Sequence, residues 1–340
     1  MSSSSKSTDE NQNSLFKLST PEEVTLAYQL FLGRDPENTD VVNNLCQTAQ
    51  TPKHLRDIFI KSPEFLQRMT EVLQKPQAIR QRHPFTLPKI PVETIVSDDA
   101  MDQMFDRIHK EWEHLGQTEP YWSVVTQPQY YQAEFEAHRE QFYTSGNYTS
   151  QIFLATLRRC GVNPAQLHTC LEVGCGVGRV TGYLAAAFDK VVAADISSQH
   201  IAIAKNHLQS KEIHNVEFQH WHNVQQMHQL PQVDAILSVI TLQHNPPPVM
   251  AWMLKTLLTQ LRSGGVAYIQ IPTYRNGYFF EVERYLHSTP PNTLEMHFLP
   301  QQEVFRIMTE AGCHCLEVRE DGMVGAEDQM LSNSFVFQKA

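Results

Sequence analysis

Residues 171–179 read Leu171-Glu172-Val173-Gly174-Cys175-Gly176-Val177-Gly178-Arg179, directly after the short run His168-Thr169-Cys170. Glycines at alternate positions let the backbone turn tightly and come close to a ligand, and amides at the start of a following helix favour negative or electron-rich atoms. The spacing is GxGxG, not the GxGxxG of a dinucleotide turn, and Glu172 precedes it on a strand-like run. Cys175 and Arg179, inside the same stretch, are candidate ligand contacts.

Outward from this turn, short apolar runs at 169–173, 190–195, 216–219, 234–239, 265–271, 313–319 and 332–337 alternate with helical stretches near 179–187, 198–209, 249–261 and 301–311. That rhythm predicts an α/β fold, a doubly wound seven-stranded and mostly parallel sheet with helices on both faces. No helix separates the last two runs, so the final strand is expected to pair antiparallel at or near an edge. VVAAD closes the second strand at Asp195, about twenty residues past the glycines. In an open sheet a carboxylate there faces the crevice at the strand ends, where it can accept both hydrogen bonds of a ribose diol.

LEVGCGVGRVTGYLAAAF with VVAADIS resembles the first two motifs of class I methyltransferases that use S-adenosylmethionine, over about residues 147–340. The resemblance implies that cofactor, with Gly174, Gly176 and Gly178 lining its methionine portion, Glu172 supporting the loop and Asp195 holding the ribose; Ile196 is a further candidate contact. Many members carry an Asp after the third strand that bonds the adenine amino group; here VEFQHWHNV offers His220, Trp221, His222 and Asn223. Adenine is then held by stacking on Trp221, by a His222 or Asn223 side chain, or by backbone. An HxH at a strand end with no nearby carboxylate cluster is a weak metal signal, even with His228 close by, and no metal site is expected.

The fourth strand ends in Ser238 to His244, which in this architecture lies beside the transferable methyl, so Ser238 is a further contact. His244 has the side chain whose ordinary pKa suits proton removal near neutrality and is the candidate base, assisted by Tyr274 or Tyr143. The competing reading is a structural histidine bonded to a carbonyl. Asn245-Pro246-Pro247-Pro248 superficially resembles the Asn-Pro-Pro-aromatic motif of amino-group methyltransferases, but it sits later and ends in Pro, so it reads as a rigid turn into a helix. The expected activity is methyl transfer to a hydroxyl, or an amine, of a small metabolite or glycan. LQHNPPP with a later QIPTY is also similar to a bacterial subgroup found near polysaccharide and secondary-metabolite genes. The alternatives are a nicotinamide (NAD)-dependent oxidoreductase and a non-catalytic cofactor-binding scaffold.

Ahead of this domain the chain divides into a polar tail (1–19), a helical module (20–74), a proline-containing linker (75–98) and a helical, aromatic cap (99–148), with the sheet domain filling 149–340. In the module, Thr20-Pro21-Glu22-Glu23 reads as a helix start, and Val24, Leu26, Ala27, Leu30 and Phe31 mark an apolar face ending at Gly33. AYQLFLGRDPENTD with KSPEF resembles a short repeat of bacterial surface and glycan-related proteins, distantly similar to phycobilisome linkers. It covers about 21–69 and implies a protein-docking role. Tyr143 belongs to an aromatic stretch, 121–148, whose rings either cap the ligand or pack the first helix on the sheet.

The 27 basic against 37 acidic residues give a net charge of −10, which disfavours a broad nucleic-acid surface. The six cysteines are scattered without a CxxC pair and read as reduced core thiols. With no apolar run near the roughly 20 residues of a membrane helix, a cytoplasmic location and a small-molecule or glycan partner are expected.

Overall fold

The computed structural model describes residues 19–49, 51–74, 88–227, 229–290, 293–324 and 330–340, and divides the chain into two compact units, residues 1–82 and 83–340. The expected tail up to residue 18, linker residues 75–87 and His228 lie outside the described residues.

The first unit holds α1 (Pro21–Leu32), α2 (Thr39–Thr48), α3 (Pro52–Ile60) and α4 (Pro63–Gln74). Thr20 accepts from the Glu23 amide while Glu23 accepts from the Thr20 amide, so two otherwise orphaned donors close the start of α1. Gly33 ends it at φ +59°, the left-handed cap that glycine adopts without penalty. Val24, Ala27, Tyr28 and Leu32 are buried with Leu55 and Phe59, and the Tyr28 and Phe59 rings meet edge to face at 4.9 Å. Leu26 and Leu30 were placed on this face by the sequence, but they point outward at 53% and 71% exposure. The core takes the 24, 27, 28, 32 stripe, which leaves the 26, 30 pair on the other side of the cylinder. Ser19 is buried and bonds the Ala49 carbonyl through its amide and hydroxyl.

The first described segment of the second unit, from residue 88, is an extended strap. Glu93 donates its amide to the Phe280 carbonyl, and Phe280 donates to that of Pro91, so residues 91–93 are attached to the domain. Next come α5 (Asp98–Thr118) and α6 (Phe135–Arg159), so position 148 falls inside a continuous helix. Tyr121, Tyr130, Phe135, Phe142 and Tyr143 bury one another with Val177 of the glycine loop.

The sheet comprises β1 (Thr169–Val173), β2 (Lys190–Asp195), β3 (Val216–His220), β4 (Val233–Ser238), β5 (Leu261–Arg275), β6 (Cys313–Glu320) and β7 (Met330–Lys339), in the order β3-β2-β1-β4-β5-β7-β6. Strands β1 to β5 run parallel, and β7 lies antiparallel between β5 and β6, one place in from the edge. The expected fold class is therefore the observed one. After Lys190, β2 is buried on both faces, which is why its sequence is a continuous apolar run. Helices α7 (Thr181–Ala185), α8 (Ser198–Ser210), α9 (Val224–Met227), α10 (Pro247–Thr259), α11 (Val282–His287) and α12 (Gln301–Glu310) complete the unit. The chain leaves β1 for β2 on one side and reaches β4 on the other, so the sheet's direction of winding reverses at β1/β4 and a crevice opens at the strand ends.

Candidate active site

That crevice is a cavity of about 240 Å³ lined by Glu172, Val173, Gly174, Cys175, Gly176, Arg179, Asp195, Ile196, Trp221, Thr241 and His244, with Phe105, Ile108 and Trp112 of α5 and Val124 closing it. The glycine turn contributes chiefly by having no side chains. A Cβ on Gly174, at φ +76°, would collide with Thr241, and one on Gly176, at φ +52°, would come 2.7 Å from Val124 Cγ2. Several loop amides are already committed: Gly174 and Cys175 donate to the Ala194 carbonyl at 2.9 and 3.0 Å. Gly176 donates to Asp195 Oδ2 at 2.7 Å, and Ser197 to Oδ1 at 2.9 Å. Asp195 thus ties the loop to β2, and each of its oxygens retains acceptor capacity at the cavity's edge.

Glu172 is buried, and its Oε2 has no hydrogen-bond partner among the described residues. Burial pushes its pKa up from 4.5 to about 8, against the weaker pulls of Thr181 and Arg179. Arg179 donates to Ser145 Oγ at 3.2 Å, but its buried Nε is also without a partner. Helix α6 reaches this point because Gly146 lies against the Arg179 carbonyl where a Cβ would not fit.

An orphaned carboxylate oxygen and an orphaned guanidinium N–H beside a side-chain-free turn make a cradle for a ligand that carries an ammonium and a carboxylate, as the methionine part of S-adenosylmethionine does. The donor set fits that cofactor. Trp221 is buried against the cavity, with its amide on the Asp195 carbonyl at 2.9 Å.

At the far wall, β4 runs into Ile240, a non-glycine residue at φ +54° whose amide donates to Gln270 Oε1 at 2.9 Å. Backbone strain of this kind concentrates at functional sites. Thr241 bonds the Val173 carbonyl at 3.0 Å, and His244 follows in a short 3-10 turn. His244 Nδ1 donates to the Glu295 carbonyl at 2.8 Å, which leaves Nε2 as the unprotonated nitrogen. Burial lowers its pKa to about 4, with Glu295 opposing and His297 reinforcing the shift, so the ring is neutral near pH 7. The Glu295 carboxylate is itself held by Arg107 and by His297 at 3.0 Å.

Five expected contacts lie elsewhere. Gly178, at φ +82°, faces Ala204 of α8 at 3.2 Å from its would-be Cβ, so it serves helix packing. His222 is exposed and bonded to Gln226 at 2.9 Å. Ser238 is buried outside the cavity lining, in register between Val173 of β1 and Ile269 of β5. Tyr143 stacks on His207 at 3.5 Å in the aromatic cluster. Tyr274 reaches the Pro88 carbonyl at 3.5 Å and not the cavity. Nothing in the sequence marked Val124, Trp112 or Ile240 as lining residues; they arrive from a loop, a distant helix and a conformation glycine usually takes.

Residues 170–265 match a family profile described as a methyltransferase domain. No curated protein matches the chain by sequence. The fold is shared with the magnesium protoporphyrin IX methyltransferase of Synechocystis PCC 6803 with bound S-adenosylhomocysteine, at TM-score 0.50 and 16% identity over 70% of this chain and 100% of that one. The N-methyltransferase NodS of Bradyrhizobium japonicum WM9 aligns at TM-score 0.43 and 16% identity over 68% of this chain and 98% of that one. No helix among the described residues is long and apolar enough to cross a membrane. The profile match spans the glycine turn, Asp195 and the end of β4, so these walls of the crevice lie in a segment similar to methyltransferase domains.

Proposed function

We propose that the chain methylates a hydroxyl of a small, largely apolar metabolite or of a glycan unit. The carrying observation is that one cavity holds both the cofactor cradle and a neutral His244 whose Nδ1 is already used by the Glu295 carbonyl. S-Adenosylmethionine supplies an electrophilic methyl group on a sulfonium. Gly174 and Gly176 admit it at close range, Glu172 and Arg179 face its ammonium and carboxylate, Asp195 accepts from its ribose diol, and Trp221 offers a ring to adenine. Phe105, Ile108, Trp112 and Met253 present apolar surface to the acceptor and keep water from it. Positioning of this kind can supply roughly 7–11 kcal/mol of the barrier.

His244 Nε2 accepts the proton the acceptor loses. A base with pKa about 4 is weak, so it acts within the transition state, taking the proton as the oxygen–methyl bond forms and acidifies the hydroxyl. A neutral amine attacks the methyl without a base, so a positioned base has its use with a hydroxyl. This favours oxygen over nitrogen as acceptor. Screening a metabolite and sugar panel with methyl-labelled cofactor tests it: His244→Gln should retain cofactor binding and lose turnover on hydroxyl acceptors. Wild-type turnover in that variant removes His244 from the reaction.

For the amino-terminal module we infer a docking role, supported by Leu26 and Leu30 exposed side by side one turn apart on α1. Double substitution of these leucines by Glu should leave turnover intact while abolishing co-purification of a partner. Unchanged co-purification refutes the role.

A further inference from the structure

His220 ends β3 without an acidic neighbour in sequence, but in the fold α5 crosses that strand end. His109 and Glu113 stand four residues apart on one face of α5. His109 Nε2, a Glu113 carboxylate oxygen and a His220 ring nitrogen lie within 4.8 Å of one another. Glu113 Oε1 is 3.4 Å from His220 Nε2 and 3.7 Å from His109 Nε2. Ligand atoms about 2.0–2.1 Å from a tetrahedral ion stand roughly 3.3–3.4 Å apart, so two of the three edges are within a few tenths of an ångström of a zinc site.

Two further observations point to a cation. His109 Nε2 is buried and has no hydrogen-bond partner among the described residues. Glu113 is oriented by the Ser198 amide at 2.8 Å and the Ser198 hydroxyl at 3.0 Å, the kind of outer contact that fixes a ligating carboxylate. His220 Nε2 now lies 3.0 Å from the Ile196 carbonyl, a contact it would exchange for the ion.

We propose that His109, Glu113 and His220 bind one divalent ion of the zinc class, with water as the fourth ligand. None of the three lines the cofactor cavity, but their neighbours do: Ile108 and Trp112 on α5, Ile196 after β2, and Trp221 after β3. The ion would join the cap helix to the strand ends beside one wall of the cavity, with its water position left open.

The test uses the full chain, stripped with a chelator and titrated with zinc sulfate against a chromophoric competitor. One ion per chain should bind tightly, and cobalt in its place should give the visible absorption of a four-coordinate site. His109→Ala, Glu113→Gln and His220→Ala should each remove the tight site, and Ser198→Ala should weaken it about 10–100-fold. His168→Ala, at an exposed His168–Asp189 pair, and His222→Ala should leave it unchanged. The proposal fails if the wild-type chain binds zinc no more tightly than a His109→Ala/His220→Ala double variant of native circular dichroism. It also fails if the tight site survives all three ligand substitutions or is lost with His222 alone.

Discussion

Replacing Glu172 by Gln separates a ligand-facing carboxylate from a merely buried one. The folded-state pKa of about 8 stands some 3.5 units above 4.5, and each unit is worth 1.36 kcal/mol, so ionising Glu172 in the ligand-free protein costs about 5 kcal/mol. Because the folded pKa is raised, the folded chain holds more protons than the unfolded one between pH 4.5 and 8. Stability therefore falls as pH rises through that window and is flat above it. About 3 kcal/mol of the loss is present at pH 7, and Gln, which cannot ionise, removes it. Cofactor binding reverses the balance, because an ammonium against Glu172 Oε2 stabilises the carboxylate. Wild-type protein at pH 7 should release about 0.9 proton per cofactor bound, with affinity rising up to about tenfold per pH unit from 6 to 8. Calorimetry in two buffers of different ionisation heat counts the proton, and the Gln variant should release none. Equal proton counts and equal pH slopes for the two proteins would refute the role given to Glu172.

The other expectations concern the turn, the base and the first unit. His244 has a folded pKa of about 4 against 6.5, so the unfolded chain binds more protons between those values and stability is lost as pH falls through them, by about 3 kcal/mol in full. Urea titrations at pH 4.5 and 7 should show this in the wild type and a smaller difference in His244→Gln. Gly178→Ala should cost roughly 1–3 kcal/mol in thermal or urea unfolding through its positive φ while leaving cofactor affinity near wild type, whereas Gly174→Ala, which collides with Thr241 at the cavity, should abolish binding. A chain beginning at His83 should bind cofactor as tightly as the whole, because every residue lining the cavity lies in the second unit; a large loss would contradict that.

The sheet was legible because parallel strands covered on both faces must be continuous apolar runs, as VVAAD of β2 is, and because helical stretches punctuate the runs up to β6. The cavity lining was legible where local backbone decides it, as at Gly174, Gly176 and Asp195. Legibility failed where tertiary placement decides. Tyr143 and Tyr274 carry suitable groups, yet one is absorbed by His207 and the other by the Pro88 strap. Gly178 has the spacing of a ligand glycine but yields its space to Ala204. The carboxylate missing beside His220 in sequence is Glu113, more than a hundred residues upstream, which only the crossing of α5 brings near.

The most direct measurement is a crystal structure of the full chain grown with S-adenosylhomocysteine. Its adenosyl group should lie between the Gly174–Gly176 turn and Trp221, with the ribose on Asp195 and the amino-acid end against Glu172 and Arg179. Density for the ligand at any other place, with this crevice filled only by solvent, would contradict the account.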